Sequence, residues 1–568
     1  MDEKTLSHRR KELQKNGEAP DWLTTAGYQM LVSNYLIEGE TPKQRFTVIA
    51  ETLAQYVEGK MPVYAPYQTW QDAFFSELWN GYTSASTPVL SNTGTNKGMS
   101  VSCSGGYIPD SVDGFYTALH EAALLSKHGF GTSAYLGDIR PRGATFNGIG
   151  KVSGVLPVIQ MFMEMSKTVS QGSQRRGAWA GYLPIDHGDF YEVATYLENN
   201  PDSLNLGWCF SDDFIDKLND GDSDAIDRFQ TALRVKMITG KGYWVKNDVA
   251  NKSMPRHYSQ NGLTFKASNL CTEIILPSNE EYTFTCVLAS KNLDKYDKWK
   301  NTNSVKISTV MLDCVCQDFI EKAKDINGLE KAVKFTEDFR AVGLGVLGFH
   351  TLLQQRMIPF ESLEASYLNN EIFKYIREEA DAATIDLATY LGKAPCANKK
   401  VRNCSLLAVA PTKSTSLILG GISEGINPDP AMTFTQTTPV GEVERINPTL
   451  LKLMKSKGIN TKEHIQEVID AKGSVQHVSW LTEEEKAVFK TAFEINQHVV
   501  VRLAANRQRY IDQAQSMNLF FAGDDDESYI AEIHSEVLNN PNIISAYYCY
   551  SRREASGSSD KNICLTCQ

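Results

Sequence analysis

From about residue 81 onward, short apolar runs alternate with longer helical patterns and frequent glycines. No other feature constrains the fold as strongly. Gly181-Tyr182-Leu183-Pro184, Val342-Gly343-Leu344-Gly345-Val346-Leu347-Gly348 and Leu406-Leu407-Ala408-Val409-Ala410-Pro411 are such runs. Short apolar segments bounded by breakers read as buried strands, and strands separated by helices pair in parallel. The pattern predicts parallel β/α units, with a helix entered over 348–353. Residues 1–80 instead carry apolar residues at helical spacing, as in Tyr28-Gln29-Met30-Leu31-Val32 and from Phe46 to Tyr56. No repeat has solenoid spacing. Residues 441–500 are rich in Lys, Glu and helix formers, which predicts a helical excursion. The expected organisation is a helical region over 1–80, a β/α unit over 81–550 and a polar Gly/Ser tail over 551–568. That tail lacks the apolar surface needed to order itself.

The 568 residues are 42% hydrophobic and 22% charged, which suits a globular protein with a large core. Lys and Arg number 57 against 68 Asp and Glu, a net charge of −11. This balance disfavours non-specific binding to nucleic acid or anionic membrane, and leaves room for local basic pockets. The N-terminus has no apolar signal region, and no stretch reaches the roughly 18 apolar residues of a membrane helix. A cytoplasmic location is expected. The 11 cysteines are odd in number, which fits reduced thiols with some catalytic members better than a disulfide scaffold.

Ser268-Asn269-Leu270-Cys271-Thr272-Glu273-Ile274 is the most informative segment. On an extended loop, Asn269, Cys271 and Glu273 alternate onto one side. An amide, a thiol and a carboxyl can together bind hydroxyls, do sulfur chemistry and move a proton. The bland alternative is a buried structural cysteine with two solvated neighbours. Cys103 and Cys286, taken singly, read as small core residues. Cys564-Leu565-Thr566-Cys567 differs, because a dithiol on a polar tail has no packing role. It can shuttle electrons by thiol–disulfide exchange, or form half of a zinc site. No metal site is predicted in the rest of the chain.

Pro411-Thr412-Lys413-Ser414-Thr415 follows an apolar strand and opens a helix. Such a turn offers N–H groups and hydroxyls to a phosphate, or simply caps the helix. Ser170-Gln171-Gly172-Ser173-Gln174-Arg175-Arg176 is a small basic loop that could fork onto phosphate or base edges, or be a solvated turn. Tyr547-Tyr548 are adjacent aromatics of the kind usual in a strand, and stacked phenols can also relay an electron and a proton.

Together these segments resemble the class I ribonucleotide reductase large (catalytic) subunit. They run in that family's order: Thr87-Pro88-Val89-Leu90-Ser91, Ser102-Cys103, the loop at 170–178, Asn269 to Glu273, Cys286, 343–350, the Pro411 turn, Tyr547-Tyr548 and the tail dithiol. The resemblance implies an α/β barrel of ten strands, two antiparallel halves of five parallel strands, with a central finger loop carrying Cys271. It implies reduction of ribonucleoside diphosphates to deoxyribonucleoside diphosphates. In that scheme Cys271 becomes a thiyl radical and abstracts the 3′ hydrogen. Glu273 takes the 3′-hydroxyl proton, and Asn269 holds the ribose hydroxyls. Cys103 and Cys286 supply two electrons, and Cys564 and Cys567 re-reduce them.

Thr87, Ser102 and the turn from Pro411 to Thr415 (with Lys413 and Ser414) would hold the substrate and its diphosphate. Tyr547 and Tyr548 would relay the oxidising equivalent from a metallocofactor in a separate small subunit, with no cofactor resident in this chain. Asp110 and Arg140 match a dNTP/ATP effector site (with magnesium) at a homodimer interface, and Ser170, Gln171, Arg175 and Arg176 would carry its message. Thioredoxin or glutaredoxin would be the reductant.

An N-terminal ATP-cone is expected to be absent, and with it dATP shutdown. The segment 538–542 reads as a polar loop, an irregular approach to the tyrosines. The length suits a phage or another streamlined genome. Competing readings are an adenosylcobalamin-dependent class II reductase, a non-catalytic nucleotide-binding paralogue and a zinc-binding structural protein.

Overall fold

The computed structural model describes residues 3–552 except 147, 149, 172–174, 203 and 439–440. Helices Glu3–Lys15, Thr25–Asn34, Pro42–Ala54 and Trp70–Trp79 come first. The third starts on a capping box, Thr41 with Gln44, and carries Pro42 where a missing N–H does no harm. Leu31, Phe46, Ile49, Leu53, Trp70 and Phe74 turn inward and share the main core with helix Ser304–Ala323. Lys291 reaches from the barrel into this contact. Its buried ammonium meets Glu77 at 2.8 Å and also bonds Thr83 and Ser304.

A short strand β1 (Thr83–Ala85) leads into the barrel. Strands β2 (Cys103–Tyr107), β3 (Gly131–Tyr135), β4 (Ala178–Pro184), β5 (Asn205–Phe210) and β6 (Tyr243–Lys246) then pair in that order, all parallel. The next strand, β7 (Phe284–Asn292), runs antiparallel to β2 and β1. Strand β8 (Val342–Leu347) lies parallel to β7. Beside it runs an extended segment, with Val342 donating to the Ser405 carbonyl and Leu344 to that of Leu406. Beside that comes residues 513–517, joined by Gln513 N–H to Leu407 O and by the parallel bridge Val409–Gln515. Tyr547 N–H then meets Met517 O, and β9 (Ser545–Ala546) pairs antiparallel with β6.

The ring therefore closes on ten extended lines. Two sets of five parallel lines meet antiparallel at two seams, β2 with β7 and β6 with β9, as the resemblance implied. β7 and β8 are buried along their whole length, as expected of strands covered on both faces. The helix entered at 348 is Phe349–Gln355.

Two expectations need correction. Residues 441–446 are not helical: Gly441–Ile446 pairs with Thr433–Thr438 in a hairpin, and helices begin only at Pro448. Composition misled there, because Glu442 and Glu444 serve a strand as well as a helix. The excursion has its own core of Met432, Leu450, Met454, Val468, Val475, Leu481 and Phe489. Secondly, Leu538 and Asn539 are the last turn of helix Glu527–Asn539, and the expected loop begins at Asn540. Among the described residues no helix is long and apolar enough to cross a membrane.

Candidate active site

Residues 268–274 form an irregular loop whose peptide groups are buried and need partners. Strands of both half-barrels supply them. Ser133 Oγ donates to Ser268 O at 2.7 Å, and Tyr182 Oη to Asn269 O at 2.5 Å. Ser516 Oγ donates to Cys271 O at 2.6 Å, Ser545 Oγ to Thr272 O at 2.9 Å, and Ala514 N–H to Glu273 O at 2.8 Å. The loop is thus suspended inside the barrel by hydroxyls. It does not keep the simple extended course that alternation suggested. Thr272 has φ 68°, a left-handed conformation that costs a residue with a branched β-carbon on the order of 1–3 kcal/mol. That kink turns the chain between Cys271 and Glu273, and both side chains remain buried.

Cys103 and Cys286 stand directly opposite one another across the β2–β7 seam. Side chains facing across an antiparallel pair have β-carbons about 4.5–5.5 Å apart, close to the span of a disulfide. Asn269 Nδ2 donates to Cys103 Sγ at 3.2 Å, which ties the finger loop to this pair. Gly343 lies on the next strand. A β-carbon there would sit 3.3 Å from Cys286 Sγ and 2.5 Å from Leu288, so glycine leaves the thiol its space. Burial pushes the Cys286 thiol well above its ordinary pKa, while Gln513 pulls it back.

Glu273 is fully buried, and burial raises its carboxyl pKa to about 7, against the opposing hydrogen bonds from its own backbone, Asn269 and Ser516. Ser516 Oγ donates to Oε2 at 3.2 Å. Oε1 is buried with no partner among the described residues, so its acceptor capacity is unused. A carboxyl tuned to near neutrality can accept a proton and return it.

Tyr547 Oη donates to Cys271 Sγ at 3.6 Å. The Tyr547 and Tyr548 rings lie 4.3 Å apart, and Tyr548 lies 5.7 Å from Tyr550. Tyr243 packs against both members of the pair, 4.6 Å from Tyr547 and 5.3 Å from Tyr548. Buried Lys236 donates to the Tyr547 carbonyl at 2.6 Å, and burial lowers its pKa to about 8. A continuous line of phenols thus ends on the loop thiol.

Thr412 takes φ 58° and opens the short helix Lys413–Ile418. Its Oγ1 accepts from Gly425 N–H at 2.9 Å, while the Thr415 and Ser416 hydroxyls turn back to its carbonyl. Lys413 and Ser414 are only half-buried beside Pro411. Asn427, just beyond, donates to Ser516 O at 3.2 Å and connects this turn to the loop. Ser102 Oγ donates to Ser86 at 2.7 Å, and Thr87 Oγ1 lies 3.2 Å from Tyr35 Oη. Asp110 and Arg140 pair with each other, with the Arg140 guanidinium 5.6 Å from the exposed Phe146 ring. Ser170–Gln171 and Arg175–Arg176 pair as a minimal hairpin, and their side chains lie outside the described residues. Cys564 and Cys567 also lie outside them.

The sequence reading missed Ser133, Tyr182, Lys236, Gln513, Ser516 and Ser545. Only Asp512-Gln513-Ala514-Gln515-Ser516, a polar run between apolar neighbours, gave a signal that could have found any of them. Among the described residues no group of three or more His, Cys, Asp or Glu is placed to hold a metal ion.

Comparison with known proteins agrees with this geometry. The family described as "Ribonucleotide reductase, barrel domain" matches residues 101–227, 217–400 and 393–537. The family described as "Ribonucleotide reductase, all-alpha domain" matches residues 21–98. A putative ribonucleoside-diphosphate reductase large subunit of Frog virus 3 is 34% identical, over 80% of this chain and 83% of its own. The ribonucleoside-diphosphate reductase large subunit of Invertebrate iridescent virus 3 is 30% identical over 93% of each chain. The solved class Id ribonucleotide reductase alpha subunit of Actinobacillus ureae superposes with a TM-score of 0.85 at 36% identity, covering 94% of this chain and 97% of that one. These matches support the diphosphate-reductase reading and not the cobalamin-dependent or non-catalytic alternatives. The chain belongs to the class I ribonucleotide reductase large-subunit family, and its reaction is the reduction of ribonucleoside diphosphates to deoxyribonucleoside diphosphates.

Proposed function

We propose that Cys271, Glu273, Asn269, Cys103 and Cys286 carry this reaction by thiyl-radical chemistry. The Cys271 sulfur, as a radical, takes the 3′ hydrogen of the ribose. Glu273 accepts the 3′-hydroxyl proton, and Asn269 holds the hydroxyls. The 2′-hydroxyl leaves as water. The two thiols Cys103 and Cys286 give two electrons and two protons and become a disulfide. Finally the 3′ hydrogen returns and Cys271 is a radical again. The observation that carries this reading is the convergence of three distant thiols, two in register across a seam and the third on a loop joined to them through Asn269. A thiyl radical needs shelter from water, and the buried loop provides it.

Tyr548 and Tyr547 would pass the oxidising equivalent inward from a small subunit whose metallocofactor supplies it. The close contact of their rings, and the hydrogen bond from Tyr547 to Cys271, support that route. Thr87, Ser102 and the turn 411–415 would hold substrate and diphosphate. Asp110 and Arg140, with the hairpin at 170–176, would take a dNTP or ATP effector with magnesium at a homodimer interface. Cys564 and Cys567, served by thioredoxin or glutaredoxin, would re-reduce the disulfide. The setting would be the cytoplasm.

The test is CDP reduction with and without a candidate small subunit, and with and without adenosylcobalamin. Dependence on the small subunit is expected. Activity with adenosylcobalamin alone would overturn the relay.

A further inference from the structure

Each sulfur of the facing pair has one side-chain amide pointed at it. Asn269 serves Cys103. Its counterpart on the other strand is Gln513, whose Nε2 donates to Cys286 Sγ at 3.6 Å and to Val342 O at 3.0 Å. Gln513 is wholly buried, and its backbone is fixed by Gln513 N–H to Leu407 O and by Gln508 Nε2 to Gln513 O. Asp512 locks the adjoining strand by accepting from Leu406 N–H and Leu407 N–H.

The amide has a single sensible orientation. Flipping it would set Oε1 against the Val342 carbonyl, two acceptors face to face. The N–H therefore points at the sulfur, and Oε1 is left buried without a partner among the described residues. A buried carbonyl left without a hydrogen bond is destabilising. A glutamine kept only for packing has no reason to bear that cost, since methionine fills the same volume.

Building on the reductase reading, we propose that Gln513 is a catalytic residue of the recycling step: it receives the negative charge that develops on Cys286 when a dithiol reductant opens the Cys103–Cys286 disulfide. The incoming thiolate attacks Cys103 Sγ and forms a mixed disulfide. The Cys103–Cys286 bond breaks, and its electron pair goes to Cys286 Sγ, where the Gln513 N–H awaits it. The second thiol of the reductant then displaces Cys103, and both cysteines regain protons. The direction follows from access. Cys103 keeps 4% of its surface and Cys286 keeps none, walled by Gln513 and by the backbone at Gly343. Exchange is faster when the leaving thiol is more acidic, and a hydrogen bond to the departing sulfur has the same effect.

The test uses the full chain with its small subunit. Pre-reduced enzyme is given CDP without reductant, and the burst of product is measured. Turnover driven by dithiothreitol is measured next. Gln513→Met should lower the rate of recycling relative to the rate of the burst by at least about tenfold, the loss of one hydrogen bond to a charged atom. Gln513→Glu, which sets an acceptor against the sulfur, should recycle more slowly still. Recycling of Gln513→Met at the unaltered rate would overturn the proposal. A second measurement needs no variant. Oxidised unaltered protein is mixed with glutathione, quenched in acid and mapped by mass. The adduct is expected on Cys103, and an adduct on Cys286 would overturn the assignment. Absence of any burst from the unaltered enzyme would instead defeat the reductase reading itself, and this proposal with it.

Discussion

Cys271 and the Cys103–Cys286 pair belong to one buried cluster but are held by opposite means. Cys271 sits on an irregular loop, hung from hydroxyls of both half-barrels and kinked at Thr272. The pair sits on a regular ladder, where pleat and register alone bring the two sulfurs together. The loop thiol meets a phenol, a partner for moving one electron with a proton. The ladder thiols meet amides, partners that steady charge without redox chemistry of their own. On the proposed mechanism, one-electron chemistry would occupy the part of the molecule built from side-chain contacts, and two-electron chemistry the part built from backbone pairing.

The sharpest way to break that contrast is Cys271→Ser. Product formation should fall at least about a thousandfold, since a serine hydroxyl cannot replace the thiol as radical carrier. Effector binding and circular dichroism should not change, and measurable dCDP from this variant would end the radical-site assignment. Tyr548→Phe should come next. Turnover with the small subunit should cease while CDP binding, followed by calorimetry, stays the same.

Glu273→Gln should lower kcat by about a hundredfold to ten-thousandfold. In the unaltered enzyme, activity should decline as pH falls below about 7, where Glu273 takes up its proton. Its effect on folding has the opposite sense. The folded carboxyl holds its proton to about 7 while an unfolded one releases it near 4.5, so stability is lost as pH rises through that window. Glu273→Gln should therefore resist urea better than the parent at pH 8, and equal or lower resistance would contradict the burial argument. The smallest effect belongs to the ladder. Gly343→Ala should destabilise by about 1–3 kcal/mol through overpacking on Leu288 and Cys286, read from the urea midpoint.

The ladder was more legible in the sequence than the loop's supports. Parallel pairing follows from apolar runs and intervening helices, and those signals survive in a single chain. Asn269, Cys271 and Glu273 stood out because an amide, a thiol and a carboxyl fall within five residues. Ser133, Ser516 and Ser545 did not, because lone serines carry no period and reach the loop from strands far away in the chain. Lys236 looked like any helix lysine. Only the fold buries its ammonium beneath Tyr547. The strand at 441–446 was misread because local composition says little about a ribbon that pairs only with its neighbour in the chain.

The β2–β7 seam has one more consequence. It is one of two places where the half-barrels are joined, so oxidation of Cys103 and Cys286 would rivet one half to the other. In the chain-entropy picture, a cross-link closing so long a span restrains the unfolded chain by about 5 kcal/mol. The spent enzyme would then melt later than the charged one, and each round of synthesis would leave a thermal record of whether the protein had been recharged.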